Sequence, residues 1–345
     1  MSPTVSIVVP CRNEKGHIRA CLESILRQQL PIGDLEIIVS DGMSKDGTRE
    51  ILMTMAEQDS RLRMVDNLSG TTPSGFNTGI KAARGQYIGI LGAHTHYASD
   101  YVRTCVKLLE EYPEVCCTGG PIISQGRSSF GRAVAAVMSH PVGVGNARHR
   151  FPDYEGYAEG ACYPMFRREV FEKVGLYDEN FIRNQDDEFN YRLAHAGEKV
   201  FISSRARCTY FVRETPSQLF RQYFQYGFWR VAVLRKHRLP ASIRQIVPPL
   251  FMSFMLVVAI LGLLLSGWWG LIAAALPLVY GMTLLLVGVT QGGKAGWRVA
   301  LMFPVAAAIM HAAYAAGFVW GLLMNRYRAV QSVPSNKGEC HASRT

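Results

Sequence analysis

The chain is 345 residues long, 48% hydrophobic and only 19% charged, with 37 basic against 27 acidic residues and a formal net charge of +10. At ~150 residues per domain, that length allows about two domains, and the composition excludes a disordered chain and a small disulfide scaffold. From Ile246 to Met324 the only charged residues are Lys294 and Arg298, so one part of the chain is written for lipid and the other for water. The basic excess suits a phosphate-rich partner: nucleic acid, anionic lipid or a nucleotide diphosphate. Eight cysteines without the short spacings of a disulfide framework or a zinc site point to a reducing compartment. The apolar stretch near Met1 is too short, and too soon followed by charge, for a signal peptide, which keeps the soluble part in the cytosol.

From Val5 to about Arg213, short β-branched runs alternate with helical periods, the pattern of parallel strands joined by helices. Strands are predicted at Val5–Pro10, Glu36–Ser40, Arg63–Val65, Tyr87–Leu91 and Val115–Gly119. Helices are predicted between them at His17–Gln28, Thr48–Glu57, Ser74–Ala83 and Asp100–Tyr112, with Asp46 and Thr48 capping the second and Pro113 closing the fourth. Ile122–Glu159 has no clear period and reads as irregular recognition loops with one helix near Gly131–Met138. Helices follow at Arg167–Val174 and Asp186–Ala196, the latter ended by Gly197, and a strand at Val200–Ser203.

From Ser217 to Arg238 aromatic and basic residues interleave, which predicts an interfacial helix with Arg221, Arg230, Arg235 and Lys236 available to lipid phosphates. Such interleaving also suits single-stranded nucleic acid, but the apolar spans that follow at once favour a membrane edge. Ile246–Leu265, Trp268–Val289 and Val299–Leu323 each reach the ~20 residues that cross a bilayer, with Trp268, Trp269, Trp297 and Tyr327 at their edges. Two crossings leave Lys294 and Arg298 in the cytosol, whereas a third would export Arg326, Arg328 and Lys337. Pro248, Pro249, Pro304 and His311 mark places where one segment lies in the interface or re-enters instead. The predicted organisation is therefore a catalytic domain over 1–215, an interface segment over 216–245, about three apolar helices over 246–324 and a flexible tail over 325–345.

The chemistry-bearing residues gather at strand ends. The first strand ends in Pro10-Cys11-Arg12-Asn13-Glu14 and the second in Ser40-Asp41-Gly42, followed by Ser44, Asp46, Gly47 and Thr48. Ligands of an open parallel sheet bind beyond the carboxyl ends of its strands, and Asp41 there is placed to accept hydrogen bonds from a ribose or a base. A third cluster, Ser74 to Ile80, carries Asn77 and Gly79 and leads through Ala83-Arg84-Gly85 into the strand that ends at Gly92-Ala93-His94. Together these patterns resemble the family 2 glycosyltransferases of GT-A fold, over roughly residues 4 to 230.

That resemblance implies an α/β nucleotide-sugar-binding domain with a mainly parallel sheet and a C-terminal apolar helical region. It implies a donor site built from Pro10, Arg12, Asn13, Glu14, Asp41, Ser44, Asp46, Asn77, Gly79 and Ala93. It also implies a divalent metal, Mn²⁺ or Mg²⁺, although Gly92 stands where the family has its first metal-binding Asp, leaving His94 as the ligand. Imidazole suits Mn²⁺ better than Mg²⁺, which asks for oxygen donors.

Further along, Gly160 to Arg168 and Phe171 to Glu179 resemble the family's acceptor-side segment, and Gln185-Asp186-Asp187-Glu188 sits where the family has its catalytic acid. Counting back from Arg192 makes Asp186 the candidate general base. Asp187 is its confounder, because adjacent helical residues point about 100° apart and only one can face a given acceptor. Gly160, Asp187, Glu188, Gln222, Trp229 and Arg230 are assigned by the resemblance to the sugar side of the site. The Gln222–Arg230 segment departs from the motif of processive synthases, which implies addition of a single sugar. The trailing apolar helices are most similar to the succinoglycan-biosynthesis type, active in bacterial exopolysaccharide assembly.

The expected activity is an inverting transfer of a hexose from a UDP-sugar to a polyprenyl-diphosphate-linked saccharide at the cytosolic face of the plasma membrane, by a multi-pass protein that binds membrane lipid and no nucleic acid. The alternatives are a polyprenyl-phosphate sugar synthase of the dolichol-phosphate-mannose kind, and a non-catalytic membrane protein that has kept the nucleotide-binding fold.

Overall fold

The computed structural model describes residues 4–30, 35–238, 243–264 and 267–324. In chain order the first half contains β1 (Val5–Cys11), α1 (Ile18–Leu26), β2 (Leu35–Asp41), α2 (Thr48–Gln58), β3 (Leu62–Asp66), α3 (Thr72–Ala82), β4 (Tyr87–Ile90), β5 (His96–Tyr97), α4 (Tyr101–Glu111), β6 (Val115–Gly120), β7 (Ile122–Gln125) and α5 (Ser129–Met138). The second half contains α6 (Pro141–Val144), β8 (Gly156–Ala158), β9 (Cys162–Arg167), α7 (Glu169–Val174), α8 (Gln185–His195), β10 (Lys199–Ile202), β11 (Cys208–Phe211) and α9 (Pro216–His237). Then come α10 (Val247–Leu264), α11 (Trp268–Ala295) and α12 (Trp297–Leu323).

Eight strands form one sheet in the order β3-β2-β1-β4-β9-β6-β10-β8. β1, β2, β3 and β4 are parallel, and Cys11 pairs with Asp41, which sets the carboxyl ends of the first two strands level. Helices cover both faces, so β1 and β2 read as nearly unbroken apolar runs and are buried along their length. One core, built around Ile7, Val9, Ile37, Tyr101 and Leu109, lies on one face, and a second, around Val8, Ile38, Phe166 and Phe189, on the other.

The sheet departs from the sequence-based expectation at its centre. β9 runs antiparallel between β4 and β6, over residues whose Pro164 argues against a central strand. Its pairing with β6 shifts register between Thr118 and Gly120, and that irregularity accommodates the proline. The stretch expected to be irregular also holds β7, which joins β11 and the two-residue β5 in a small second sheet. Strands this short leave too little alternation to be read from sequence.

α9 does not lie free on a surface. It packs against α12 through glycines: a Cβ at Gly227 would fall 2.0 Å from the Tyr314 carbonyl oxygen, and one at Gly317 would fall 2.0 Å from that of Phe224. α5, α9, α11 and α12 share a third apolar core that includes Val134, Met138, Leu219, Phe303 and Met310. That core crosses the expected boundary at residue 245. Two helices, Ala273–Gln291 and Trp297–Leu323, are long and apolar enough to cross a membrane, whereas the apolar part of α10, Val247–Gly262, falls short of the expected third span. The expected tail over 325–345 lies outside the described residues.

Candidate functional site

The carboxyl-end rim of the sheet carries a cleft of about 560 Å³. Pro10, Arg12 and Glu14 line it after β1, Gly92, Ala93 and His94 after β4, and Gln185, Asp186 and Asn190 from α8. Residues far apart in sequence therefore meet because β1 and β4 are parallel neighbours, paired from Val5–Tyr87 to Val8–Ile90, and α8 begins opposite them. Left-handed backbones turn the chain at Asn13 (φ 55°) after β1 and at Asn184 (φ 57°) before α8, and a third occurs at Tyr163 (φ 49°) near the start of β9. Asparagine tolerates this conformation; at Tyr163 it is strained, and such strain concentrates at functional sites.

Asp186 opens into the cleft and is exposed there, whereas its neighbour Asp187 is held by Arg230, with Nη2 donating to Oδ2 at 2.7 Å. The crowded cleft walls, and after them the Asp187 charge, push the Asp186 carboxyl up to about 6, even though water reaches it through the cleft mouth. α9 fastens this end of α8 at several points. Asn184 Nδ2 donates to the Tyr226 carbonyl at 3.3 Å, Lys236 Nζ to Glu188 Oε1 at 2.6 Å, and His237 stacks on Tyr191 at 4.0 Å between ring centroids.

Glu14 and His94 face each other across the cleft, Oε1 to Nδ1 at 3.4 Å, the His94 side chain being 58% exposed. Their carboxylate and imidazole form a mixed donor pair that would accept a divalent metal. Among the described residues no cluster of three His, Cys, Asp or Glu side chains is placed to hold a metal. A Cβ at Gly92 would lie 2.9 Å from the Tyr163 ring, so Tyr163 presses on the position where the resemblance would put a carboxylate.

Several residues expected to touch the donor instead build the walls. Asp41 is fully buried and does not face the cleft: Ser44 N and Oγ and Arg49 Nη1 all donate to its carboxylate. Ser44 in turn accepts from Asn13 N, and the Asn13 side chain accepts from Lys45 N, which locks the loop after β1 to the loop after β2. Asp46 accepts from Lys15 N and from Thr48, and those hydrogen bonds, that of the Thr48 hydroxyl foremost, hold its carboxyl below the usual range. Asn77 grips the Tyr177 backbone and Glu179 from inside the core, and Gly79 lets α3 lie on β1, since a Cβ there would come within 2.2 Å of Val8.

The acceptor-side assignments also divide. Glu188 is fully buried beneath Arg192, Lys236 and His237, so it cannot meet a sugar. Arg230 and Lys236, expected to face lipid phosphates, are spent on Asp187 and on Asp178 and Glu188. Gln222 Nε2 donates to the hydroxyls of Tyr210 and Tyr226, and Trp229 packs near Phe181. Gly160 leaves room for Asn190, which does line the cleft. Sequence reasoning passed over Asn67, Arg150, Tyr163, Arg183, Asn190 and Tyr226, all of which line it. Asn67 shapes the loop before α3, accepting from Gly70 N and donating to the Thr71 carbonyl, while Arg12 closes that loop through the Gly70 carbonyl.

A mainly parallel sheet with its cleft at the carboxyl-end rim and an acidic helix facing it is the GT-A class of fold. The family model for glycosyl transferase family 2 matches residues 6–175. The succinoglycan biosynthesis protein ExoA of Rhizobium meliloti is 32% identical over 336 residues, covering 94% of this chain and 96% of that protein. A dolichyl N-acetyl-alpha-D-glucosaminyl phosphate 3-beta-D-2,3-diacetamido-2,3-dideoxy-beta-D-glucuronosyltransferase of Methanococcus voltae is 25% identical over 326 residues, 92% of this chain and 97% of that one. The mannosyltransferase PcManGT of Pyrobaculum calidifontis, solved with GDP-Man and Mn²⁺, superposes with a TM-score of 0.59 at 21% identity over 93% of this chain and 88% of that one, a likeness of fold. The chain belongs to the family 2 glycosyltransferases, and it is an enzyme of that class.

Proposed function

We propose that this glycosyltransferase moves one hexose, with inversion, from a UDP-sugar to a polyprenyl-diphosphate-linked saccharide at the cytosolic face of the membrane, in bacterial exopolysaccharide synthesis. The observation that carries the reading is the position of Asp186: its carboxylate opens into the cleft while Arg230 ties down Asp187. As the acceptor hydroxyl attacks the anomeric carbon, Asp186 takes its proton, and the bond to the diphosphate breaks on the opposite face. A positioned base of this kind contributes ~10²–10⁴ in rate. Arg12 and the loops from Asn67 to Thr72 and from Gly92 to His94 line the donor side. Glu14 and His94 would hold a divalent metal, which when bound offsets charge on the departing diphosphate. The relatives support the setting: one is named for succinoglycan biosynthesis and the other for sugar transfer to a dolichyl-linked saccharide.

The apolar helices serve as the anchor in this reading. α10 and α11 form a hairpin with exposed apolar residues along it, among them Leu250, Phe254, Val257, Leu278, Met282 and Leu286. α12 keeps one face, from Val299 to Gly321, on α5 and α9. The hairpin therefore enters lipid and returns, and α12 lies along the catalytic domain. Lys294 and Arg298 then lie on the cytosolic side, as the positive-inside tendency requires.

The test is transfer by full-length protein in membranes holding lipid-linked oligosaccharides, with a panel of nucleotide sugars and with Mn²⁺, Mg²⁺ or chelator. Asp186→Asn is expected to lower transfer ~10²–10⁴-fold at unchanged donor binding. Equal transfer by the variant would remove Asp186 from the role. Transfer from a GDP-sugar to a bare polyprenyl phosphate would favour the synthase alternative.

A further inference from the structure

A second cavity, of about 530 Å³, lies where α9, α10, α11 and α12 meet the 141–150 segment. Its wall is mainly apolar, with Val142, Phe251, Met252, Leu284 and Met310 along it. Arg150 and Tyr226 line this cavity and the catalytic cleft alike, so the two spaces meet at that pair.

Arg150 brings an unpartnered cationic donor to the junction. Its Nη1 is buried with no hydrogen-bond partner among the described residues. The phenols of Tyr210, Tyr223 and Tyr226 and the Cys162 thiol act on the guanidinium. A buried guanidinium nitrogen without a partner is costly, and a fold tolerates it where an acceptor arrives from outside. Arginine is also the side chain best shaped to grip phosphate oxygens. Arg230, across the cavity, is different, because its charge is already met by Asp187.

An anion that fits must carry an apolar tail to fill one space and something to project into the other. We propose that the cavity seats the acceptor lipid, its isoprenoid chain among α10, α11 and α12 and its phosphate on Arg150, with the attached sugar reaching Asp186. The assignment rests on the transferase reading above. An ordinary phospholipid shares the phosphate and the tail, but it has nothing to send into the cleft.

The experiment measures binding of a C55 polyprenyl phosphate, the uncharged C55 polyprenol and UDP to full-length protein in phosphatidylcholine nanodiscs. The phosphate should bind at least ten-fold more tightly than the alcohol. Arg150→Gln should erase that preference. Met252→Trp, which fills the apolar wall, should weaken both lipids at an unchanged melting temperature. The inference is overturned if wild type does not distinguish phosphate from alcohol, if Arg150→Gln weakens UDP and spares the lipid, or if equimolar phosphatidylglycerol displaces the polyprenyl phosphate. Wild type that binds the lipid phosphate but no nucleoside diphosphate would sink the donor reading and uphold this one.

Discussion

At the scale of single residues, the site turns on two adjacent carboxylates with different fates. Counting back from Arg192 in the sequence picks Asp186 over its neighbour Asp187, and in the structure Arg230 occupies Asp187 while Asp186 opens into the cleft. A base must be ionised to accept a proton, so its raised titration sets an acid limb near pH 6 in kcat/KM, with activity falling as the pH drops below it. Asp187→Asn removes a like charge and should move that limb to lower pH, which a pH–rate profile of the variant would reveal; a limb that stays put would mean that Asp187 does not act on the base. The N-terminal motifs were legible as a group but not in their division of labour. Asp41, Asn77 and Gly79 sit at the expected places and spend themselves on fixing loops and α3. Arg150 gave no signal at all, being one cation in an irregular stretch whose meaning comes from tyrosines that the fold brings around it.

At the scale of elements, alternation of short apolar strands and helical periods located the parallel half of the sheet, because burial on both faces leaves its mark on composition. The antiparallel β9 left no such mark, since Pro164 interrupts it and its partners are remote in sequence. α9 shows a similar limit: its aromatic and basic interleaving was visible, but which cations face lipid depends on α8 and α12. The contact between α9 and α12 leaves no space for a side chain at Gly317. Gly317→Val should cost about 1–3 kcal/mol through overpacking, read as a lowered midpoint of unfolding in detergent. Gly281→Ala, on α11 with no atom near its added Cβ, is the matched control and should be neutral or mildly stabilising. Equal effects of the two would mean that the glycine contact is not a point of close packing.

At the scale of the whole molecule, composition divided the chain into a soluble and an apolar part, and the structure joins them through one core. Cutting at residue 245 would therefore expose Leu219, Val134 and Met138 rather than release a self-contained enzyme. The hairpin arrangement proposed for α10 and α11 makes a direct prediction for the turn before α12. Ala295→Cys, at an exposed position, placed in a Cys340→Ser background where the described native cysteines are mostly buried, should react with a membrane-impermeant maleimide in inside-out vesicles and not in intact cells. Reaction from the outside would instead require α11 to cross.

At the glycine contacts between α9 and α12 the two backbones meet directly, which holds the helices in register, and α9 in turn grips α8. On the proposed reading, Asp186 would thus stand at a set altitude above the hydrocarbon, like a reader on a fixed arm. An acceptor tethered by its lipid can offer only the hydroxyl that comes to that altitude. In a ladder of lipid-linked oligosaccharides, one rung should be extended and those a sugar shorter or longer passed over; comparable extension of every rung would show that the arm is free to move.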